Sequence, residues 1–374
     1  MEKNIEEQQN LRNASDMLYL TICAINEEIP DVQRVKQMDL THLFKISEKH
    51  TLTACVAYAL ESADIHEHTF TQAKEKAIRK NILLDAERKK ILQCLEQEKI
   101  WYLPLKGAIL KDWYPKIGMR QMSDNDILFD ASFRSKVKDL MLSRGFTCVH
   151  FGDSNDDAYF KPPIHNFEMH NALFTIAHGK ELCDYYQDIK SKLIQDTGTS
   201  YGYHFKNEDF YIYLTAHEYK HFCKGGTGIR SLTDAYIFMK KFEDSLDWDY
   251  LKPELQKLNL TEYEQKRRTL AKKLFLHETL TQEEEMMLNY YKSSGAYGTL
   301  EHAVTNNLIK NGKGSKVKYL FWRVFPPMNQ VKSYWNFFYR HKWLLPVLWI
   351  YRPIHGLLCN RSKLRSEFNY LKKK

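Results

Sequence analysis

Residues 123–129, Ser123-Asp124-Asn125-Asp126-Ile127-Leu128-Phe129, hold more structural information than any other stretch of the chain. Ile, Leu and Phe in succession favour a strand, and in a strand successive side chains point to opposite faces. Asp124 and Asp126 then share one face, while Ile127 and Phe129 face a core. Two carboxylates so placed repel each other unless positive charge lies between them. Mg²⁺ meets that need, because it takes hard oxygen ligands and keeps positions for phosphate oxygens. A D-x-D pair alone is common on solvated strand edges, so the flanking sequence must choose.

Upstream, the strand-like run Ile100-Trp101-Tyr102-Leu103-Pro104-Leu105 passes through Lys106 and Gly107 into a helix expected from Ala108 to about Trp113. A glycine at such a turn lets a phosphate approach backbone N–H groups at the helix N-terminus. Downstream, Phe167-Glu168-Met169-His170-Asn171 alternates again, with Glu168 and His170 on one face and Phe167 and Met169 inward. Glu168 is a third carboxylate, on a neighbouring strand. Three carboxylates around two metal ions suffice for a complete reaction. One ion holds a triphosphate; the other lowers the pKa of an acceptor hydroxyl, which attacks the α-phosphorus as pyrophosphate leaves. Arg120 is placed either to neutralise triphosphate charge or to form a salt bridge. His170 either touches nucleotide or metal or is a hydrogen-bonded strand histidine.

The stretch LKGAILKDWYPKIGMRQMSDNDILF (residues 105–129), followed by FEMHNALF (167–174), resembles a bacterial family of largely uncharacterised nucleotidyltransferases within the DNA polymerase β superfamily. The similarity continues into YLTAHEYKHFCKGGTGIRSLTDAYIF (213–238) and covers roughly residues 95 to 355. It implies that Asp124, Asp126 and Glu168 are the catalytic metal ligands, and that Lys106 and Gly107 belong to a phosphate-binding turn. It also implies Mg²⁺, with Mn²⁺ as a substitute, and a nucleoside triphosphate as co-substrate. The acceptor hydroxyl is left open among small molecule, glycan, protein and RNA. Two positions depart from the superfamily pattern: Ala108 stands where Ser or Gly usually follows the turn glycine, and Asn125 replaces an apolar residue and puts a polar side chain on the core face. Neither loses a metal ligand. The alternative from another class is an inactive module that binds nucleotide without turnover.

A competing motif is His217-Glu218-Tyr219-Lys220-His221, which matches H-E-x-x-H. On a helix, its two histidines bind Zn²⁺ and its glutamate activates water, the arrangement of a zinc metalloprotease. Residues 210–222 read as a helix, but 15 histidines in the chain make a coincidental match easier, and no third zinc ligand is evident downstream. The better functional reading is that His217, His221, Arg230 and Asp234 brace the helices against the cleft or contact the base or acceptor, and plain structural roles for them are preferred over either.

The rest of the chain sets these motifs in context. Residues 1–98 read as a helical region, with helical spacing over 18–25, 52–60 and 70–98. Short β-compatible runs then alternate with helices over 99–184, the catalytic core, with a helix from Ser132 to Arg144 stopped by Gly145 and strands over 146–151 and 166–174. Helices return over 185–315. An aromatic and basic segment, 316–374, ends in Lys372, Lys373 and Lys374. The expected fold class is α+β, a small mixed sheet flanked by helices. The composition, 43% hydrophobic and 13% aromatic with a net charge of +8, describes a folded protein that leans toward anionic partners. Seven scattered cysteines without a C-x-x-C pair, and a polar N-terminus without a signal pattern, point to a cytoplasmic protein with reduced thiols. No transmembrane segment is expected. The aromatic end is expected to bury against the catalytic unit, with peripheral membrane contact as the less favoured reading.

Overall fold

The computed structural model describes residues 2–152, 154–359 and 361–373, so Lys374 of the basic tail lies outside the described residues. Five strands form the central sheet: β1 Tyr102–Pro104, β2 Asn125–Phe129, β3 Thr147–His150, β4 Asp156–Lys161 and β5 His165–His170, in spatial order β1-β2-β5-β4-β3. β2 and β5 run parallel and the other neighbours run antiparallel, so the sheet is mixed and the fold α+β. A two-stranded ribbon, β6 Leu193–Gln195 with β7 Tyr203–Phe205, adds a second small sheet. The main helices before and within the sheet are α1 Glu2–Asn26, α2 Leu40–His50, α3 Thr53–Ser62, α4 His68–Gln97, α5 Gly107–Leu110 and α6 Arg134–Ser143. After it come α7 Asn207–Lys224, α8 Ile229–Phe242, α9 Trp248–Lys257, α10 Thr261–Phe275, α11 Gln282–Ser294, α12 Leu300–Lys310, α13 Lys316–Val324, α14 Leu345–Cys359 and α15 Arg361–Lys373.

The alternation of β2 is used on both faces, because helices cover both. Ile127 and Phe129, with Phe167 and Met169 of β5, pack against Ile91 and Leu95 of α4 and Val137 and Met141 of α6. Leu128, on the opposite face, packs with Phe210 and Tyr213 of α7. Truncating a fully buried phenylalanine such as Phe129 costs about 3–5 kcal/mol, so this double packing fixes the strand firmly. Asn125 lies on the first face, fully buried, and α4 satisfies it: its Oδ1 accepts from the Arg88 guanidinium at 2.8 Å and its amide donates to the Leu84 carbonyl at 3.1 Å. Left unpaired there, it would cost about 1–3 kcal/mol.

Element boundaries differ from expectation where side chains compete for the backbone. α6 starts at Arg134 rather than Ser132, because the Asp130 carboxylate accepts from the Ser132 N–H and hydroxyl and heads a short 3₁₀ turn first. Gly145 does follow its end, at φ +80°. β5 stops at His170, short of Phe174. β4 was not anticipated. It opens on two aspartates, and its buried Asp157 is balanced by the Arg134 guanidinium at 2.6 and 2.7 Å, a pairing that sequence alone does not reveal.

Helices from the two flanks share one core: Leu20, Val56 and Leu60 of α1 and α3 meet Ile229, Leu270 and Phe275 of α8 and α10. Val304, Leu308, Tyr319 and Leu371 form a small separate cluster that ties α12, α13 and α15 together, with Glu367 accepting from Tyr319 and Arg323. The expected burial of the aromatic end is only partial, with Val331 and Leu348 fully covered. That cluster is too small to cover α14 and the turns before it, and Phe321, Phe337, Trp343, Ile350 and Leu358 stay more than half exposed. Among the described residues, no helix is long and apolar enough to cross a membrane.

Candidate active site

The parallel pairing of β2 with β5 sets Asp126 directly opposite Glu168, two positions before Leu128 meets His170. All of these except Leu128 are polar, and they face α7. One Asp126 oxygen, Oδ1, accepts from the Lys106 ammonium and from His170 Nε2, each at 2.8 Å. The His170 tautomer follows from its other nitrogen. Asn155 donates its amide to the Ala172 carbonyl at 2.9 Å, which fixes the amide's orientation, and the same nitrogen lies 3.4 Å from His170 Nδ1. Nδ1 is therefore the acceptor, and Nε2–H points at Asp126.

Candidate ligand atoms of Asp126, Glu168 and His170 lie within 4.8 Å of one another. Asp124, the other member of the expected carboxylate set, is outside that group among the described residues. It sits just ahead of β2, half-buried, with its preceding residue's carbonyl held by Lys80 at 3.0 Å. Lys106 reaches Asp126 from a backbone at φ +45° and ψ −114°, a conformation that costs a non-glycine residue about 1–3 kcal/mol and occurs mostly at functional sites.

Charges in this cleft are strongly coupled. Burial, reinforced by the Asp126 charge, lifts the Glu168 carboxyl to about 8 and the Asp124 carboxyl to about 6. Burial would lift Asp126 as well, but Lys106 and the His170 hydrogen bond outweigh it and hold Asp126 well below the usual carboxylate range. Burial keeps His170 below its ordinary value, so it is a neutral donor at pH 7.

Gly107 is needed here for a reason other than phosphate approach. A Cβ at this position would meet Arg120 Nη1 at 2.3 Å and the Met122 sulfur at 2.8 Å, so the guanidinium itself occupies the space over the glycine. Arg120 is held there by Asp234 of α8, through Nε at 2.8 Å and Nη2 at 3.0 Å, and Tyr114 donates to the same carboxylate at 2.6 Å. The helix after the turn is a single turn long, and the Ala108 and Ile109 N–H groups are directed at the Leu105 and Lys106 carbonyls. The positive charge lining the cleft therefore comes from side chains.

α7 supplies the opposite wall. Tyr213, His217, Lys220 and His221 recur on one helical face, and the last three line a cleft of about 410 Å³ together with Lys106, Arg120, Asp124, Asp126, Glu168 and Arg230. Burial, with Lys106 nearby, lowers Lys220 to about 8; burial, with Lys220 nearby, lowers His221 to about 3. Arg230 donates to Thr51 at 2.7 Å and directs its charge toward Asp124. Lys220 and Asn155 are the residues sequence reasoning missed. Lys220 stands three residues after His217 on the helix and could have been placed on that face, whereas Asn155 could not have been found without β4.

The H-E-x-x-H motif does not assemble a zinc hydrolase. His217 and His221 bring their Nε2 atoms to 3.3 Å of each other, but Glu218, in the same cleft wall, is engaged with α10 and α11. There one oxygen accepts from Arg267 at 2.8 Å and the other from Tyr263 and Tyr291, both at 2.8 Å. A glutamate whose lone pairs are so engaged is not placed to activate water between the histidines.

No curated protein and no solved structure matches the chain. The family model described as "Uncharacterised nucleotidyltransferase" matches residues 36–276, a span that includes the sheet, the carboxylate face and α7 to α10, and the chain belongs to that family.

Proposed function

We propose that the chain transfers a nucleoside monophosphate from a nucleoside triphosphate to a hydroxyl acceptor, with Asp124, Asp126 and Glu168 as the carboxylates that hold divalent metal. The observation that carries this reading is the register placing Asp126 beside Glu168 on a face walled by Lys106, Lys220 and Arg230. The donor set fits a hard cation. Because His170 presents N–H to Asp126, the ligands on offer are carboxylate oxygens, which suit Mg²⁺ and admit Mn²⁺. Bound metal would offset charge on the triphosphate and acidify the acceptor hydroxyl.

The chain's own residues divide the remaining work. His170 orients Asp126 through its Nε2–H. Lys106, Lys220 and Arg230 present positive charge to phosphate oxygens. Arg120, locked on Asp234 and packed over Gly107, keeps Nη1 in the cleft wall without a mobile side chain to order. In the reaction the acceptor oxygen bonds to the α-phosphorus, the bond to the β-phosphate oxygen breaks, and the hydroxyl proton leaves with solvent or pyrophosphate. We read the sheet as the core of a DNA polymerase β-type enzyme over residues 99–184, with helical regions over 1–98 and 185–315, acting in the cytoplasm. The acceptor is a small molecule, glycan, protein or RNA.

Incubation of the protein and host extract with each nucleoside triphosphate, labelled in turn at the α- and γ-phosphate, tests the reading. Label should reach an acceptor from the α-position only, with release of pyrophosphate. Transfer of γ-label would make the chain a kinase, and nucleotide binding with no transfer under Mg²⁺ or Mn²⁺ would make it a binding module.

A further inference from the structure

The charge of this chain is not evenly spread. Residues 316–374 contain thirteen Lys and Arg and one acidic residue, Glu367, a net +12 in a chain whose total is +8. The preceding 315 residues are therefore net negative. This same segment holds the largest run of exposed apolar side chains. On α14, Val347, Ile350, Ile354, Leu357 and Leu358 recur at helical spacing along one face and are 52, 65, 50, 58 and 79% exposed. Trp343, 77% exposed, stands just before the helix. Exposed Arg340 and Lys342 precede the stripe, and exposed Arg361, Lys363 and Arg365 follow it on α15.

We infer that α14 and its basic flanks form an interfacial docking surface for an anionic lipid bilayer, with the aliphatic stripe seated among acyl chains and the Lys and Arg at the headgroups. A helix of 15 residues is about 22 Å long, too short to cross a hydrocarbon core of about 30 Å, so it lies in the plane of the interface. Trp343, exposed at the stripe's edge, matches the preference of that ring for the headgroup level. Two other occupants fit less well. A nucleic acid would use the basic residues and stack on aromatic rings, but it has nothing to cover five aliphatic side chains. A second copy of the chain would cover the stripe, but it would bring two segments of +12 face to face. The segment also packs beside Ile176–His178, next to α7 at the cleft, so docking would hold the cleft close to the membrane. The inference stands on this surface alone and does not depend on the transfer reaction.

The test is co-sedimentation of the full chain with vesicles of phosphatidylcholine, alone or with phosphatidylglycerol. The chain should bind the anionic vesicles, bind neutral ones weakly, and keep part of its binding in high salt. Ile350→Glu with Ile354→Glu should weaken binding about tenfold or more while circular dichroism and thermal unfolding stay unchanged. If that variant does not fold, the native chain still answers. Acyl chains carrying bromine should quench its tryptophan emission, and Trp343→Phe should remove most of the quenching. Absence of binding to anionic vesicles, or undiminished binding by the folded double variant, overturns the inference. So does a single-stranded RNA oligonucleotide that binds where vesicles do not, or a dimer that the double variant converts to monomer in place of any vesicle binding.

Discussion

At Asp126, one carboxylate oxygen is shared by an ammonium and an imidazole N–H, and the neighbouring residues are arranged to keep it so. The alternation of apolar and acidic residues in 124–129 and 167–170 made Asp126, Glu168 and His170 legible in the sequence, because a period of two fixes which side chains share a face. What the sequence could not supply was the third dimension: Arg120 lying over Gly107, or Asn155 setting the His170 tautomer. The glycine gives a sharp test. In Gly107→Ala the methyl group would lie 2.3 Å from Arg120 Nη1, so the guanidinium must leave its position, and with it the Asp234 pairing. Overpacking of this kind costs about 1–3 kcal/mol, read as a lower denaturation midpoint in urea, and transfer activity should fall with it. Unchanged stability in this variant would mean that Arg120 does not occupy the turn.

At the scale of elements, long amphipathic helices such as α4, α7 and α8 were readable from helical spacing, since ten or more residues of periodicity leave little ambiguity. Short elements were not: β4 is held by a buried ion pair, and β6 and β7 span three residues each. α7 shows how a motif can mislead when only its spacing is known. Its glutamate belongs to a buried network with Arg267, Tyr263 and Tyr291, which joins α7 to α10 and α11. Glu218→Ala should therefore destabilise the chain by about 3–5 kcal/mol, because Arg267 would be left charged and unpaired in the core. Chemical denaturation measures this directly. A fully stable Glu218→Ala protein, together with one bound zinc ion in the wild type that His217→Ala or His221→Ala removes, would restore the hydrolase reading.

Over the whole molecule, the buried titratable groups make stability depend on pH in two opposed ways. His50, His178 and His221 have folded pKa values near 4, 4 and 3, below their unfolded 6.5, so their contribution is present above pH 6.5 and lost as pH falls through those lower values. Glu168 is raised from 4.5 to about 8, so the stability linked to its proton is present below pH 4.5 and lost as pH rises through 8. Without divalent metal, the melting temperature should thus peak near pH 6.5 and decline toward pH 8. Glu168→Gln should flatten that decline, and Mg²⁺ or Mn²⁺ should recover the loss at pH 8 by binding the carboxylate form. A decline that Glu168→Gln leaves intact would assign it elsewhere. The proposed action of the three carboxylates as one unit is measured by transfer of α-phosphate label by wild type, Asp126→Asn, Glu168→Gln and the double variant, with metal and with excess chelator. Asparagine and glutamine keep the side-chain shapes, so all four proteins should stay folded. Each single change should lower the rate by at least about a hundredfold, ~2.7 kcal/mol on the barrier, with the double variant little worse and chelator equivalent to either. Transfer that persists in chelator, or folded variants whose rates stay within about twofold of wild type, would contradict the account.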